Sequence, residues 1–100
     1  AAEFHVDATR ALIEFLGHAL SLTPHEFQLL QKLVSQPQRV WSREQLLAAI
    51  GQPADVGYER NVDGYIKSLR AKLREVDASR EPIQTHRGFG YSYQPGGRSV

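Results

Sequence analysis

The sequence predicts an α+β fold in which a small antiparallel sheet is followed by three helices and a C-terminal β-hairpin. Three observations predict it: strand-like alternation near the N-terminus, two helix starts of the same form at Thr23 and Ser42, and a long amphipathic stretch over residues 59–77. One hundred residues, 41% of them hydrophobic, suit one domain with one modest core. We therefore expect a single domain, 1–100, with a core spanning about residues 4–94.

The N-terminal stretch has the pattern of β-strands. Residues 4–7 and 12–16 alternate in strand fashion, and Gly17-His18 suits a tight turn into residues 19–22. These segments predict a small antiparallel sheet before the first helix.

The first helix has a complete start motif, in which Thr23 is the N-cap. Around it lie a proline at the first helical position, a capping-box partner and two residues at hydrophobic-staple positions: Pro24, Glu26, Leu22 and Phe27. The predicted apolar face is formed by Phe27, Leu30, Leu33 and Val34. Because Pro37 disfavours helix at the residue before it, we expect this helix to end there.

The second helix repeats this start. Ser42 is the N-cap, Gln45 is the box partner, and Trp41 and Leu46 are at the staple positions. We expect a short helix that runs to about Ile50, and we expect Trp41 in the core. The helix stops at Gly51, and a loop with proline and glycine follows, over residues 52–57.

The third helix, predicted from Glu59 to Asp77, has two different faces. Alternating four- and three-residue spacings line one face with Val62, Ile66, Leu69, Leu73 and Val76. The opposite face is basic and has small residues: Arg60, Gly64, Lys67, Ala71 and Arg74. Such a face suits the major groove of DNA, although an ordinary core helix with a solvated charged face has the same pattern.

Two further residues on this helix have more than one interpretation. Tyr65 flanks the apolar stripe and either packs at the edge of the core or points its hydroxyl toward DNA. Asp63 is four residues before Lys67 and three after Arg60, so it either forms an ion pair that orients them or balances surface charge.

The hairpin is predicted from residues 83–87, a turn at 88–90 and a return strand at 91–93. The turn is not a nucleotide-binding fingerprint, because a third glycine and a following helix are missing. Thr85 and Arg87 project on one side, where they suit contacts to phosphate or the minor groove; a surface hairpin with an incidental arginine is the alternative. Residues 95–100 have the composition of a frayed, flexible tail.

Charge is distributed unevenly along the chain. Residues 1–59 have four Lys/Arg and seven acids, a net charge of −3, whereas residues 60–100 have eight Lys/Arg and four acids, a net charge of +4. A basic C-terminal region favours a polyanionic partner. Together with the order of the elements, this basic region indicates a helix-turn-helix arrangement in which the hairpin serves as a wing.

Several other classes of protein are disfavoured. The sequence has no cysteine, its four histidines lack metal-ligand spacing, and no nucleophile or paired-carboxylate arrangement stands out. We therefore expect no enzyme, metal or cofactor. No membrane-length apolar run or signal peptide is present, so a cytosolic protein is expected. The first residue is not methionine, and we expect a fragment of a longer protein.

Four ordered blocks, at residues 22–30, 40–47, 59–73 and 83–91, carry a family resemblance. The chain resembles the C-terminal effector domain of OmpR/PhoB-type response regulators, the winged-helix transcription factors of bacterial two-component systems. The Thr85–Tyr91 hairpin and the Ile66–Arg74 helix look most like the CreB branch. The resemblance implies a four-stranded N-terminal sheet, three helices of which the third is the recognition helix, and a hairpin wing.

The resemblance also implies DNA contacts and partners. The positions that match DNA-facing or DNA-adjacent positions are Arg60, Asn61, Gly64, Tyr65, Lys67, Ser68 and Arg70 on the helix, and Thr85 and Arg87 on the wing. The loop from Gly51 to Tyr58 matches a segment that meets RNA polymerase in some members. The family also implies a receiver domain with a phosphoacceptor Asp, absent from this sequence, and a homodimer of the full-length protein on direct-repeat half-sites of double-stranded DNA in the bacterial cytoplasm.

We expect Lys67, Arg70 and Arg60 mainly on phosphates, with Arg74 as a further cation of the same face. Asn61, Tyr65 and Ser68 are candidates for base edges. The sequence departs from the family pattern at Asn61, where Thr or Ser is usual, at Tyr65, where His is common, and at Ser68, where a basic residue is frequent; Ile50 also replaces a frequent Trp. These departures bear on base preference rather than on the fold.

The resulting hypothesis is a sequence-specific double-stranded DNA-binding output domain of a two-component response regulator that controls transcription. One alternative is a winged helix whose basic face contacts an acidic protein. A second is the same DNA-binding domain attached to a membrane-anchored sensor. A DNA-binding domain loses affinity steeply with salt, which distinguishes it from the protein-contact alternative.

Overall fold

The computed structural model describes residues 2–51 and 56–98, with the backbone alone at 56–60. It shows an N-terminal antiparallel sheet, three helices and a C-terminal hairpin, as predicted. The elements in chain order are β1 Phe4–Asp7, β2 Leu12–Phe15, β3 His18–Ala19, α1 Pro24–Ser35, α2 Arg43–Ala49, α3 Val56–Val76, β4 Ile83–His86 and β5 Gly90–Tyr93.

The N-terminal sheet differs from the expectation in two ways. Within the described residues it has three strands, in the order β1-β2-β3, rather than the four implied by the family resemblance. The turn into β3 is formed by Leu16 and Gly17, one residue earlier than predicted, and His18 pairs with Phe15. Leu16 and Gly17 have φ of 51° and 82°, and two positive φ values suit a two-residue hairpin turn that follows the twist of the strands.

Both predicted helix starts are confirmed. The Thr23 hydroxyl accepts a hydrogen bond from the Glu26 amide at 3.3 Å, and the Glu26 carboxylate accepts one from the Thr23 amide at 2.9 Å. Ser42 and Gln45 form the same reciprocal pair at 3.1 and 2.9 Å. These pairs satisfy amide donors that the first helical turn leaves without partners, which explains why both starts could be located from sequence.

The third helix begins at Val56, three residues before the predicted start at Glu59. The prediction was wrong here because Pro53 and Gly57 both favour a loop when each is considered alone. A glycine within a helix costs only about 1 kcal/mol, and a helix of 21 residues tolerates it at its first turn.

The core lies where α1, α2 and α3 meet the two sheets. The largest fully buried side chains are Ile13, Phe15, Leu29, Leu30, Leu33, Leu46, Leu47, Val62, Ile66, Leu69, Leu73 and Ile83. Phe27 and Val34, predicted for the apolar face of α1, are only partly buried, and Leu29 is fully buried instead. Trp41 is buried, as predicted.

The hairpin is fixed to the body of the protein through Trp41. The Trp41 amide donates to the Tyr91 carbonyl at 2.8 Å, and the Tyr91 amide donates to the Trp41 carbonyl at 2.9 Å. Gly90 lies so close that a Cβ there would be 1.9 Å from the Trp41 carbonyl oxygen. The backbone at Trp41 therefore extends the two-stranded sheet and fixes the direction of the hairpin.

Residues 95–98, expected to belong to a frayed tail, make backbone contacts. The Gly97 amide donates to the Gln94 carbonyl, and the Glu81 amide donates to the Gly97 carbonyl at 2.9 Å. Arg98 forms a β-bridge with Arg80. The described end of the chain thus lies against the segment that follows α3.

Candidate nucleic-acid interface

One face of α3 is exposed over residues 61–74, within the part of the helix whose side chains are described. Its members are Asn61, Gly64, Lys67, Ala71 and Arg74, while Val62, Ile66, Leu69 and Leu73 on the other face are buried. A Cβ at Gly64 would meet nothing within 4 Å, so the surface is open at that point. The amphipathic arrangement predicted from spacing is confirmed for the residues whose side chains are described; that of Arg60 lies outside them.

Tyr65 and Ser68 are turned toward α1. The Tyr65 hydroxyl lies 2.7 Å from Nδ1 of His25, and the two rings meet edge to face with their centroids 5.4 Å apart. The Ser68 hydroxyl donates to the carboxylate of Glu26. Of the two alternatives for Tyr65, the structure therefore shows packing at the edge of the core.

Glu26 is the buried centre of this contact, with 2% of its surface exposed. Besides the Thr23 amide and Ser68, it binds the ammonium group of Lys72 at 2.5 Å. Burial by itself would raise the pKa of Glu26, but the hydrogen bonds from Lys72, Ser68 and the Thr23 amide outweigh it and lower the pKa to about 2. The carboxylate is therefore charged at neutral pH and fixes α3 against the start of α1.

Arg70 extends from α3 to the hairpin rather than outward. Its guanidinium donates to the Ile83 carbonyl at 2.9 Å and to the Thr85 hydroxyl at 2.7 Å. It also forms an ion pair with Glu81 at 3.2 Å. Because these acceptors bind Nε and Nη2 of the guanidinium, Arg70 links the helix to the wing in this structure.

Asp63 links α3 to α2 and to the wing. It pairs with Arg43 at 3.1 Å and accepts a hydrogen bond from the Tyr91 hydroxyl at 2.5 Å. The negative charge of Asp63 raises the pKa of Arg43, and burial, followed by the hydrogen bond to Asp63, raises the pKa of Tyr91. Asp63 therefore orients α2 and the wing. Of the two cations predicted as its partners, Lys67 lies on the exposed face, and the side chain of Arg60 lies outside the described residues.

The wing presents Thr85 and Arg87, both exposed. Together with Phe89 they line an open cleft of about 450 Å³ between the hairpin and the start of α2, where Arg43 also lies. Phe89 at the hairpin tip is 77% exposed. The exposed face of α3 and the wing are thus held in one arrangement by Arg70 and Asp63.

Sequence patterns identified the exposed cations but not the residues that position them. Glu26 was assigned from local spacing only as a capping residue, and its bonds to Ser68 and Lys72 join positions more than 40 apart in sequence. His25 and Arg43 likewise gave no signal of their contacts with α3, because such contacts depend on how helices pack.

The described residues contain no group of three or more His, Cys, Asp or Glu side chains that is arranged to hold a metal ion. Two histidines have side-chain partners, His25 with Tyr65 and His86 with the Ser92 hydroxyl at 2.7 Å. Over the stretches of chain that the structure describes, none of the helices is both long and apolar enough for a bilayer crossing.

A family model described as "Transcriptional regulatory protein, C terminal" matches residues 17–93. The transcriptional regulatory protein CreB of Escherichia coli K12 is 46% identical over 89 residues, which cover 89% of this chain and 39% of CreB. BaeR of Escherichia coli O6:H1 is 39% identical over 89 residues, covering 89% and 37%. The chain thus spans about two fifths of the length of these relatives.

Solved structures give the same picture of the fold. The DNA-binding domain of CpxR from Escherichia coli matches with a TM-score of 0.80 and 29% identity, covering 96% of this chain and 94% of that one. The RstA DNA-binding domain of Klebsiella pneumoniae, in complex with the RstA box, matches with a TM-score of 0.78 and 25% identity, covering 92% and 91%. The arrangement of helices and wing is therefore shared with domains of known structure.

Proposed function

The chain belongs to the family of C-terminal domains of transcriptional regulatory proteins, the DNA-binding effectors of OmpR/PhoB-type response regulators, and from this we propose how it reads DNA. The exposed face of α3 enters the major groove of a specific duplex, and the wing meets the adjacent backbone or minor groove. The observation that carries this proposal is the open, basic face of α3, held beside the exposed Arg87 by the contacts of Arg70 and Asp63.

The residues of this surface have different roles in the proposal. Lys67, Arg74 and Arg60 neutralise phosphates, and Asn61 contacts a base edge, for which adenine is the best match. Gly64, which has no side chain, lets the duplex approach the helix closely. Thr85 and Arg87 of the wing contact backbone or minor groove.

Three other predicted contact residues are engaged within the protein. Tyr65 and Ser68 are bound to α1, and Arg70 is bound to the wing. We assign them chiefly to positioning α3 and the wing; a direct contact with DNA requires each of them to share or exchange its present partner.

Selection from a pool of randomised duplexes at two salt concentrations tests the proposal. An enriched motif is expected, and affinity should fall steeply as salt rises. Arg87→Ala should reduce the slope of log K against log salt by about one unit, because one phosphate contact is lost. Arg10→Ala, in the exposed turn between β1 and β2, is the matched control and should leave the slope unchanged.

The outcome also separates the alternatives. Salt-sensitive retention without a motif would indicate a nonspecific DNA-binding domain. Absence of retention at low salt would contradict DNA binding and favour the protein-contact alternative.

In the longer protein, a receiver domain and dimerisation on two half-sites would raise the affinity, since the second half-site is then bound at high effective concentration. Comparing the affinity of this domain with that of the longer protein, on DNA with one and with two half-sites, tests this. Equal affinity of the two proteins for DNA with two half-sites would contradict it.

A bacterial cytoplasm, where the DNA is, is the proposed place of action. The proposed RNA polymerase contact involves the segment from Gly51 to Tyr58; its residues 52–55 lie outside the described residues, and its last three belong to α3.

A further inference from the structure

Phe89 is an apolar side chain that the fold itself does not require. With 77% of its surface exposed, it contributes little to the core, and Val40 at 39% is the other large hydrophobic residue exposed among the described residues. The turn does not need a phenylalanine either, because the positive φ values belong to the flanking Gly88 and Gly90, at 82° and 143°. Position 89 would therefore accept a polar residue without cost to the hairpin.

The tip that bears Phe89 has a fixed direction. Its amide donates to the His86 carbonyl at 2.8 Å, which closes the turn. Immediately after it, Gly90 packs against the backbone of Trp41, and the Tyr91 hydroxyl binds Asp63 on α3. An exposed ring on an anchored turn loses little conformational entropy when it is inserted into a partner.

The surroundings of Phe89 match a polyanion with an apolar interior. Arg87 lies two residues before it. Arg43, which also pairs with Asp63, lies across the cleft that both line, next to Glu44. Cations flanking an aromatic ring suit the minor groove, in which phosphates form the two walls and stacked bases form the floor. An aromatic ring there can separate adjacent base pairs and bend the duplex.

We propose that Phe89 is a specificity-determining residue of the wing. It would act as an apolar wedge that enters from the minor groove and inserts between two adjacent base pairs, beside the base pairs that α3 contacts. The inference rests on the proposed DNA binding and adds a second form of readout to it. Because pyrimidine–purine steps unstack most easily, the protein would favour such a step at a fixed distance from the bases that α3 contacts.

Selection from randomised duplexes with the unchanged protein and with Phe89→Ala tests the proposal. The unchanged protein should enrich a major-groove motif and, at a constant offset, a TA or CA/TG step. Phe89→Ala should keep the motif and lose the step preference, with roughly tenfold weaker binding to the preferred duplex. Phe89→Leu should retain most of the preference, since leucine also serves as a wedge.

The matched control is Val40→Ala, which removes an exposed apolar side chain that is not on the hairpin. It should leave both features of the selected pool unchanged. In a second measurement, 2-aminopurine at the selected step should become more fluorescent on binding of the unchanged protein, because unstacking relieves quenching, and should not do so with Phe89→Ala.

The results distinguish failure of the proposed wedge from failure of the proposed DNA binding. Absence of any enriched motif would contradict the proposed function itself. An unchanged motif and step preference in Phe89→Ala would overturn the wedge while leaving DNA binding intact. A shift in self-association of Phe89→Ala in sedimentation, with the same selected pool as the unchanged protein, would also overturn it and assign Phe89 to a protein contact.

Discussion

Glu26 positions residues of the proposed DNA interface although it is not itself part of that interface. One oxygen of its carboxylate closes the capping box of α1 and binds Lys72, and the other accepts from Ser68. Both Ser68 and Lys72 lie on the helix proposed for the major groove. Since the carboxylate is buried, loss of its charge would leave the Lys72 ammonium without its partner.

We expect Glu26→Gln to lower the free energy of unfolding by about 2–3 kcal/mol at pH 7. The pKa of Glu26 is depressed in the folded protein, to about 2 from an ordinary value of 4.5. Its contribution is therefore fully present above pH 4.5 or so and is lost as the pH falls toward 2. Urea unfolding at several pH values measures this.

The corresponding control is Glu44→Gln, at an exposed position in the first turn of α2. It should keep the acid dependence of the unchanged protein. If Glu26→Gln and the unchanged protein lost stability in parallel between pH 5 and pH 2, the assignment of this pH dependence to Glu26 would be wrong.

At the scale of elements, the wing depends on the close approach of two backbones. Gly90 and Trp41 are near enough that no side chain fits between them, and the two hydrogen bonds between Trp41 and Tyr91 require this distance. Gly88 also has a positive φ but has open space around it. The two glycines of the turn therefore have different sensitivities to substitution.

Gly90→Ala should destabilise the protein by more than about 3 kcal/mol, because backbone strain is added to a steric clash. Gly88→Ala has the strain alone and should cost roughly 1–2 kcal/mol. Thermal or denaturant unfolding of both variants compares them. Equal losses of stability in the two variants would show that the backbone at Trp41 can move away from residue 90 at little cost.

Gly64 lowers the intrinsic stability of α3 without a packing reason inside the protein. Gly64→Ala should raise the free energy of unfolding by roughly 0.5–1 kcal/mol, since its Cβ would meet nothing within 4 Å. Denaturant unfolding measures this. A rise in stability accompanied by weaker DNA binding would place position 64 against the groove, and a loss of stability would contradict the open surroundings.

Elements were predicted well where their signals are local. The N-caps at Thr23 and Ser42 depend on residues three apart, and both helix starts were correct. The start of α3 was wrong because glycine was weighed without the rest of the helix, and the turn into β3 was displaced because Leu16 gave no sign of a positive φ. For the interface, spacing identified the exposed face, whereas the partners of Ser68, Arg70 and Asp63 depend on tertiary packing.

At the scale of the whole molecule, one carboxylate joins the two described ends of the chain. Glu3 binds Arg80 at 2.8 Å, the Tyr93 hydroxyl at 3.0 Å and the Gly96 amide at 3.2 Å. Burial, together with Glu3, raises the pKa of Tyr93. The N-terminal sheet is thus tied to the wing and to the segment after α3.

Glu3→Ala should lower the free energy of unfolding by about 1–3 kcal/mol, because it removes the acceptor of the buried Tyr93 hydroxyl and of the partly buried Arg80 guanidinium. We expect unfolding to remain a single transition when followed by far-UV circular dichroism and by tryptophan fluorescence. Separate transitions for the two signals would show that the N-terminal sheet unfolds independently of the rest. Glu14→Ala, at a partly exposed position of β2, serves as the comparison.

Trp41 also gives the protein a built-in optical probe. It is the one tryptophan of the chain, it is 4% exposed, and the cations of Arg39 and Lys32 lie 3.9 and 4.8 Å from the centre of its ring. Because the hairpin is hydrogen-bonded to its backbone, detachment of the wing would bring water to the indole and shift its emission to longer wavelength. The unlabelled protein can therefore report the state of its own wing during a titration.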